Sequence, residues 1–221
     1  MLWSEDILSF YKNLNPPQKL PNGIQWLYPQ KEEVVIGVVK QFLQKFYSDK
    51  KERKLFLGIN PGRFGAGVTG VNFTAAKQLT EDCGIAHPFK MKSELSAEFI
   101  YEVIRAYGGP EIFYSNYFIG SVCPLGFIKA GKNINYYDDK DLLKTVERFI
   151  TGSINQLMMM NFSNDVCICI GGEKNFKYLL SLNEKNQWFK QIVSLPHPRF
   201  IMQYKRKQKE DYIKTYLKIL N

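Results

Sequence analysis

The sequence predicts an α/β fold, a three-layer α/β/α sandwich built from parallel βαβ units. Three observations lead there. Four apolar runs of strand length occur, at 54–60, 112–120, 166–171 and 191–195. Segments with helical spacing of apolar side chains separate them. No two of the runs are close enough to be joined by a two-residue hairpin turn, so helical crossovers and a parallel sheet follow.

In chain order, residues 3–14 and 32–47 have helical periodicity and form an N-terminal helical arm, residues 1–50, packed on a domain of residues 51–221. Between the two helices the Pro-rich stretch NPPQKLPNGIQWLYP reads as an ordered loop or an extended wrap. The first strand, 54–60, is followed by helical segments at 75–83 and 96–107. The second strand, 112–120, is followed by IKAGKNINYYDDKD, a polar stretch read as loop, and by a helix over 139–160. The third strand, 166–171, leads into a helix over 173–183. The fourth, 191–195, is followed by a basic helix at about 205–220.

The 221 residues are 45% hydrophobic and 14% aromatic, which excludes a disordered chain and suits one globular unit with its own core. Thirty Lys and Arg against 21 Asp and Glu leave a formal charge of +9. Such an excess attracts polyanions, nucleic acid first and an anionic membrane surface second. The four cysteines, Cys83, Cys123, Cys167 and Cys169, contain no C-x-x-C pair, and Cys167 and Cys169 share one face of a strand. They read as small buried residues of a reducing, cytoplasmic compartment, since a zinc or iron–sulfur site asks for more ligands at better spacing. The opening residues lack a basic region followed by an apolar core, and no apolar run reaches about 18 residues, so neither a signal peptide nor a membrane span is expected.

Ligands of open α/β sheets bind beyond the carboxyl ends of the strands. Three loops there carry unusual chemistry. The first, NPGRFGAGVTGVNF, has Asn60 at the strand end, stiffened by Pro61, then Gly62, Gly65, Gly67 and Gly70, which let backbone approach a ligand, and then Phe73 as a flat stacking surface. A Walker loop is excluded by the spacing and the missing Lys, and a dinucleotide fingerprint by the absence of a helix directly after the strand. The second loop, SVCPLGF, begins with Ser121, whose hydroxyl can donate or accept. In the third, PHPRFIMQY, His197 is held between two prolines and followed by Arg199. Lys205, Arg206 and Lys207 come next, a cationic cluster suited to a polyanion. The other histidine, His87, has no companion chemistry and reads as structural.

Together these loops resemble the uracil-DNA glycosylase superfamily, and within it the single-strand-selective monofunctional uracil-DNA glycosylases, bacterial second subfamily. GINPGRFGAGVTGVNF, RAYGGPEIFYSNYFIGSVCPLGF and HPR carry the likeness, which covers most of 54–205. The resemblance implies a four-stranded parallel sheet between helices, DNA as partner (single-stranded, with double-stranded also in range), and hydrolysis of the N-glycosidic bond of a damaged base. It implies no cofactor, no metal, no membrane and no obligate protein partner. It also implies roles. Asn60 holds the attacking water and His197 hydrogen-bonds the departing base. Phe73 stacks on the base, while backbone near Ile59 and Gly62, with Ser121, contacts its edge. Arg199 wedges into the stack or clamps phosphate, and Lys205, Arg206 and Lys207 hold the DNA backbone.

Two departures stand out. Ser121 occupies the place of an Asn in better-known members, which leaves uracil or another deaminated or oxidised base as the substrate. The third motif reads Leu-Pro-His-Pro-Arg where the family often has His-Pro-Ser-Pro-Arg. Aligning on the His shortens the loop by two residues, whereas aligning on Pro-Arg puts Leu195 in the place of the His. The first is preferred, because a loop deletion costs less than loss of the only plausible electrophile. A nucleic-acid-binding module without catalysis is the remaining rival.

Overall fold

The computed structural model describes residues 2–220. The chain begins with α1 (Trp3–Lys12), β1 (Ile24–Leu27) and α2 (Glu33–Phe46), then enters β2 (Arg53–Gly58). A loop carrying the one-turn α3 (Ala66–Thr69) leads to α4 (Ala76–Glu81), α5 (Leu95–Tyr107), α6 (Pro110–Asn116) and β3 (Tyr117–Ser121). A hairpin of β4 (Gly126–Lys129) and β5 (Lys132–Ile134) precedes α7 (Lys140–Met158) and β6 (Phe162–Ile170). Then come α8 (Gly172–Asn186), β7 (Gln191–Leu195), α9 (Pro198–Tyr204) and α10 (Lys209–Leu220). No helix among the described residues is long and apolar enough to cross a membrane.

Strands β3, β2, β6 and β7 pair in that order, all parallel, as the sequence predicts. The side chains of β2, β3 and the second half of β6 are buried on both faces, which is why they read as apolar runs, whereas the edge strand β7 is half exposed. On one face Phe56 packs edge-on against Phe113 of α6 and Tyr216 of α10. On the other, Phe118 meets Tyr47 at the end of α2. The chain runs from β2 out to β3 and then back across to β6. The switch point of the sheet therefore lies at the carboxyl end of β2, where a ligand site is expected.

Four expectations need correction. The run 112–120 is not one strand: residues 110–116 are helix, and only 117–121 are strand. Gly109, at φ +97°, turns the chain, and Pro110 supplies the first helical residue. The polar stretch after β3 is a hairpin, with Lys129 paired to Lys132 across a two-residue turn. That turn needs left-handed backbone at both positions, supplied by Ala130 at φ +48° and Gly131 at φ +70°. Within the Pro-rich stretch, Ile24–Leu27 is a strand that pairs antiparallel with β4, giving a second, three-stranded sheet. The basic helix also starts later than expected, at Lys209, after α9 and a 3-10 turn at Arg206–Gln208.

Two contacts tie the N-terminal helices and the hairpin to the large sheet. Arg53, wholly buried at the start of β2, donates to both carboxylate oxygens of Asp49 (2.7 and 2.9 Å) and to the carbonyls of Tyr114, Lys51 and Phe46. These bonds hold the Asp49 carboxyl below the usual carboxylate range. At the hairpin, Gly126 lies so close to the first loop that a β-carbon there would run into the Pro61 carbonyl oxygen. Gly126→Ala must push the hairpin away from residues 60–62. We expect it to lower the unfolding free energy by about 1–3 kcal/mol, read from urea denaturation. An unchanged midpoint would show that this approach can relax.

Candidate active site

The carboxyl ends of β2, β3 and β7 enclose one pocket of about 260 Å³. Asn60, two residues past β2, is half-buried at its floor. Its Oδ1 accepts the Tyr136 N–H at 3.1 Å, and its Nδ2 donates to the Ile134 carbonyl at 3.3 Å. Both ends of the carboxamide are therefore fixed by backbone at the end of β5 and just beyond it. Nδ2 also lies 3.5 Å from the Pro61 carbonyl oxygen, so the group left for a water is one lone pair of Oδ1.

Phe73 forms a wall of the pocket. It sits in left-handed backbone, φ +52°, which is costly for a bulky residue and tends to occur at functional sites. Its ring lies over the end of β2, where only glycine fits: a β-carbon at Gly58 would be 2.6 Å from the ring. Ile59, Gly62 and Ser121 line the same pocket, and Ser121 is buried at the end of β3.

His197 caps the N-terminus of α9, where its Nδ1 accepts the Arg199 N–H at 3.0 Å. The neutral ring consequently carries its proton on Nε2. Burial of the ring, and next the nearby Arg199 guanidinium, pull its pKa from 6.5 to about 4. The ring still keeps an edge in the pocket, with its centroid 6.0 Å from that of Phe73. Tyr216 of α10 fixes the preceding residue by donating to the Pro196 carbonyl at 2.5 Å.

Arg199 is exposed at the pocket rim. Lys205, Arg206 and Lys207 are exposed outside the pocket, on the turn that follows α9. None of the ion pairs among the described residues involves these four cations, whereas Lys209 is paired with Glu102 at 2.6 Å. The glycines divide. Gly62 and Gly65 line the pocket, but Gly67 and Gly70 do not. Gly67 packs under Leu27 and donates its N–H to the Gly62 carbonyl, while Gly70, at φ +74°, packs against Val35 and Val39 of α2. Half of the glycine loop is thus shaped by packing on neighbouring elements.

Sequence reasoning missed Asn72, Asn133 and Asn135, which also line the pocket. Asn72 had a usable signal, standing directly before the stacking candidate Phe73. Asn133 accepts the Arg63 N–H at 3.1 Å, a contact across 70 residues that no local pattern announces. His87 is structural: one nitrogen lies 2.7 Å from the Ala76 carbonyl oxygen and the other accepts the Phe89 N–H. All four cysteines are free and buried. Among the described residues no three of His, Cys, Asp and Glu come together as metal ligands would.

This arrangement has counterparts. A model of the Uracil DNA glycosylase superfamily matches residues 44–221, and the chain belongs to that superfamily. Its sequence is similar to the Single-strand selective monofunctional uracil-DNA glycosylase of Rattus norvegicus, 29% identical over 117 residues, covering 45% of this chain and 42% of that protein. The Bos taurus protein of the same description is 29% identical over 106 residues, covering 40% and 39%. These matches span less than half the length of those relatives. Over the whole chain, the fold is similar to the crystal structure of wild-type Pedobacter heparinus SMUG2, with TM-score 0.95 and 43% identity, covering 100% of this chain and 97% of that one.

The His197 assignment is directly measurable. The unfolded chain takes up the imidazole proton near 6.5 and the folded chain only near 4. Between those values the unfolded state binds more protons, so this residue's contribution to stability falls as pH drops through that window. An NMR titration of the imidazole is expected to show a midpoint near 4, with the Nε2–H tautomer at neutral pH. A midpoint near 6.5 would overturn the assignment.

Proposed function

We propose that the protein is a monofunctional DNA glycosylase that hydrolyses the N-glycosidic bond of uracil, or of a related damaged base, in DNA. The observation that carries this is the convergence of Asn60, Phe73 and His197 on one pocket at the sheet's switch point. To reach it, a nucleotide leaves the base stack and places its base in the pocket. Phe73 stacks on the base, and Ile59, Gly62 and Ser121 form the walls around it.

Cleavage develops positive charge on the sugar and negative charge on the departing base. His197, neutral and donating through Nε2–H, hydrogen-bonds that growing anion, an oxyanion-hole type of stabilisation. A neutral imidazole matches this task, because it donates without surrendering its proton at neutral pH. Asn60, held by Tyr136 and Ile134, orients the water that captures the cation-like sugar carbon. No lysine lines the pocket among the described residues, which favours hydrolysis by water over a Schiff-base lyase route. Arg199 fills the gap left in the stack or clamps a flanking phosphate. Lys205, Arg206 and Lys207 hold the backbone of single-stranded DNA, with double strands also in range. The free cysteines suit a reducing compartment, and we place the protein in the cytoplasm.

Incubation with a uracil-containing oligonucleotide, followed by alkaline cleavage of abasic sites, tests this reading. We expect strand breaks with the wild type, and single-turnover rates lowered about 10²–10³-fold in Asn60→Ala and in His197→Ala. DNA binding without abasic product would instead favour a non-catalytic module. For the cationic turn, replacing Lys205, Arg206 and Lys207 by Ala together is expected to reduce the slope of log affinity against log salt by about 2, at about 0.7 per lost phosphate contact. An unchanged slope would place the DNA path elsewhere.

A further inference from the structure

We propose that Asn72 is the side chain that reads the hydrogen-bonding edge of the bound base, positioned by Ser121 on one side and by Tyr11 of the N-terminal helix on the other. The inference rests on the reading of the pocket as a base site. Asn72 is only 6% exposed and lines the pocket, and its other side borders a small apolar cavity with Tyr11, Val39 and Phe42. Its Oδ1 accepts the Ser121 hydroxyl at 2.9 Å. Its Nδ2 donates to the Tyr11 hydroxyl at 3.3 Å. A carboxamide has two acceptor sites and two N–H groups, so these bonds use half of its capacity.

One acceptor site and one N–H are left on a buried carboxamide that directly precedes the proposed stacking residue. A buried amide with half its capacity unused is costly unless a ligand completes it. The remaining pair complements an N–H beside a C=O, the imide edge of uracil or the lactam edge of a 6-oxopurine. Burial keeps the Tyr11 phenol protonated, with its pKa raised. Both positioning groups are hydroxyls that can donate or accept, so they can follow the amide if it turns over. The reader is thus held in place but not locked in one sense, consistent with more than one deaminated base being accepted. Tyr11 lies outside residues 44–221, the segment matched by the superfamily model, so α1 adds to the site something that segment lacks.

The test compares release of uracil and of N3-methyluracil, which lacks the imide N–H, from otherwise identical single-stranded oligonucleotides. Wild-type protein is expected to prefer uracil. Asn72→Ala is expected to reduce that preference by about tenfold or more, the worth of one buried hydrogen bond. Ser121→Ala and Tyr11→Phe should each reduce it in part, and neither should change it further once Asn72 is Ala. Because Asn72→Ala leaves the Tyr11 phenol and the Ser121 hydroxyl unpaired, the triple variant Tyr11→Phe/Asn72→Leu/Ser121→Ala serves as a second probe, replacing all three polar groups by apolar ones. It should fold and show the same loss of preference. If the variants slow both substrates by one common factor, Asn72 is structural and the inference fails while the glycosylase reading stands. A wild type that releases neither base overturns both.

Discussion

The site depends on how the carboxamide of Asn60 is held. The parallel sheet brings Asn60 to the switch point, but the sheet does not orient it. Orientation comes from the Ile134 carbonyl, at the end of β5, and the Tyr136 N–H just beyond it. The hairpin can supply them only because Gly126 allows it to touch the Pro61 backbone. The small antiparallel sheet therefore works as a brace for one side chain of the large one. Phe73 is fixed by a similar device, its ring lying on Gly58, two residues before Asn60.

Each remaining wall is anchored from a different direction. α10 reaches back through Tyr216 to hold Pro196, so His197 is set by a helix that follows it in sequence. α1 reaches in through Tyr11 to the pocket-lining Asn72. The proposed chemistry needs this rigidity. A neutral hydrogen-bond donor stabilises a departing anion only if it already stands where the charge will develop, since reorganisation would consume the gain. His197 meets that condition because its Nδ1 is committed to the Arg199 N–H, leaving Nε2–H for the pocket.

What the sequence revealed follows from where the physical signal is local. Residues 54–58 read correctly as strand because a central strand buried between layers is an almost continuous apolar run. Residues 112–116 did not, because a helix of two turns with buried Phe113 and Tyr114 also looks like an apolar run, and only Gly109–Pro110 marked its start. The hairpin stayed hidden since its strands are three and four residues long and partly exposed. At the site, Asn60, Ser121 and His197 were legible because each stands beside Gly or Pro or at a strand end, and Phe73 because it closes the glycine loop. Asn133 was not, because its partner lies 70 residues away, and for Asn72 the place beside Phe73 was visible but not its partner Ser121, 49 residues on.

A crystal structure with a single-stranded oligonucleotide carrying an uncleavable uracil analogue tests the central claim most directly. The account predicts the base lying on Phe73, His197 Nε2 within about 3.2 Å of a base oxygen, and an ordered water on Asn60 facing the sugar carbon. A base bound outside this pocket, or seated in it with His197 turned away, would contradict the account.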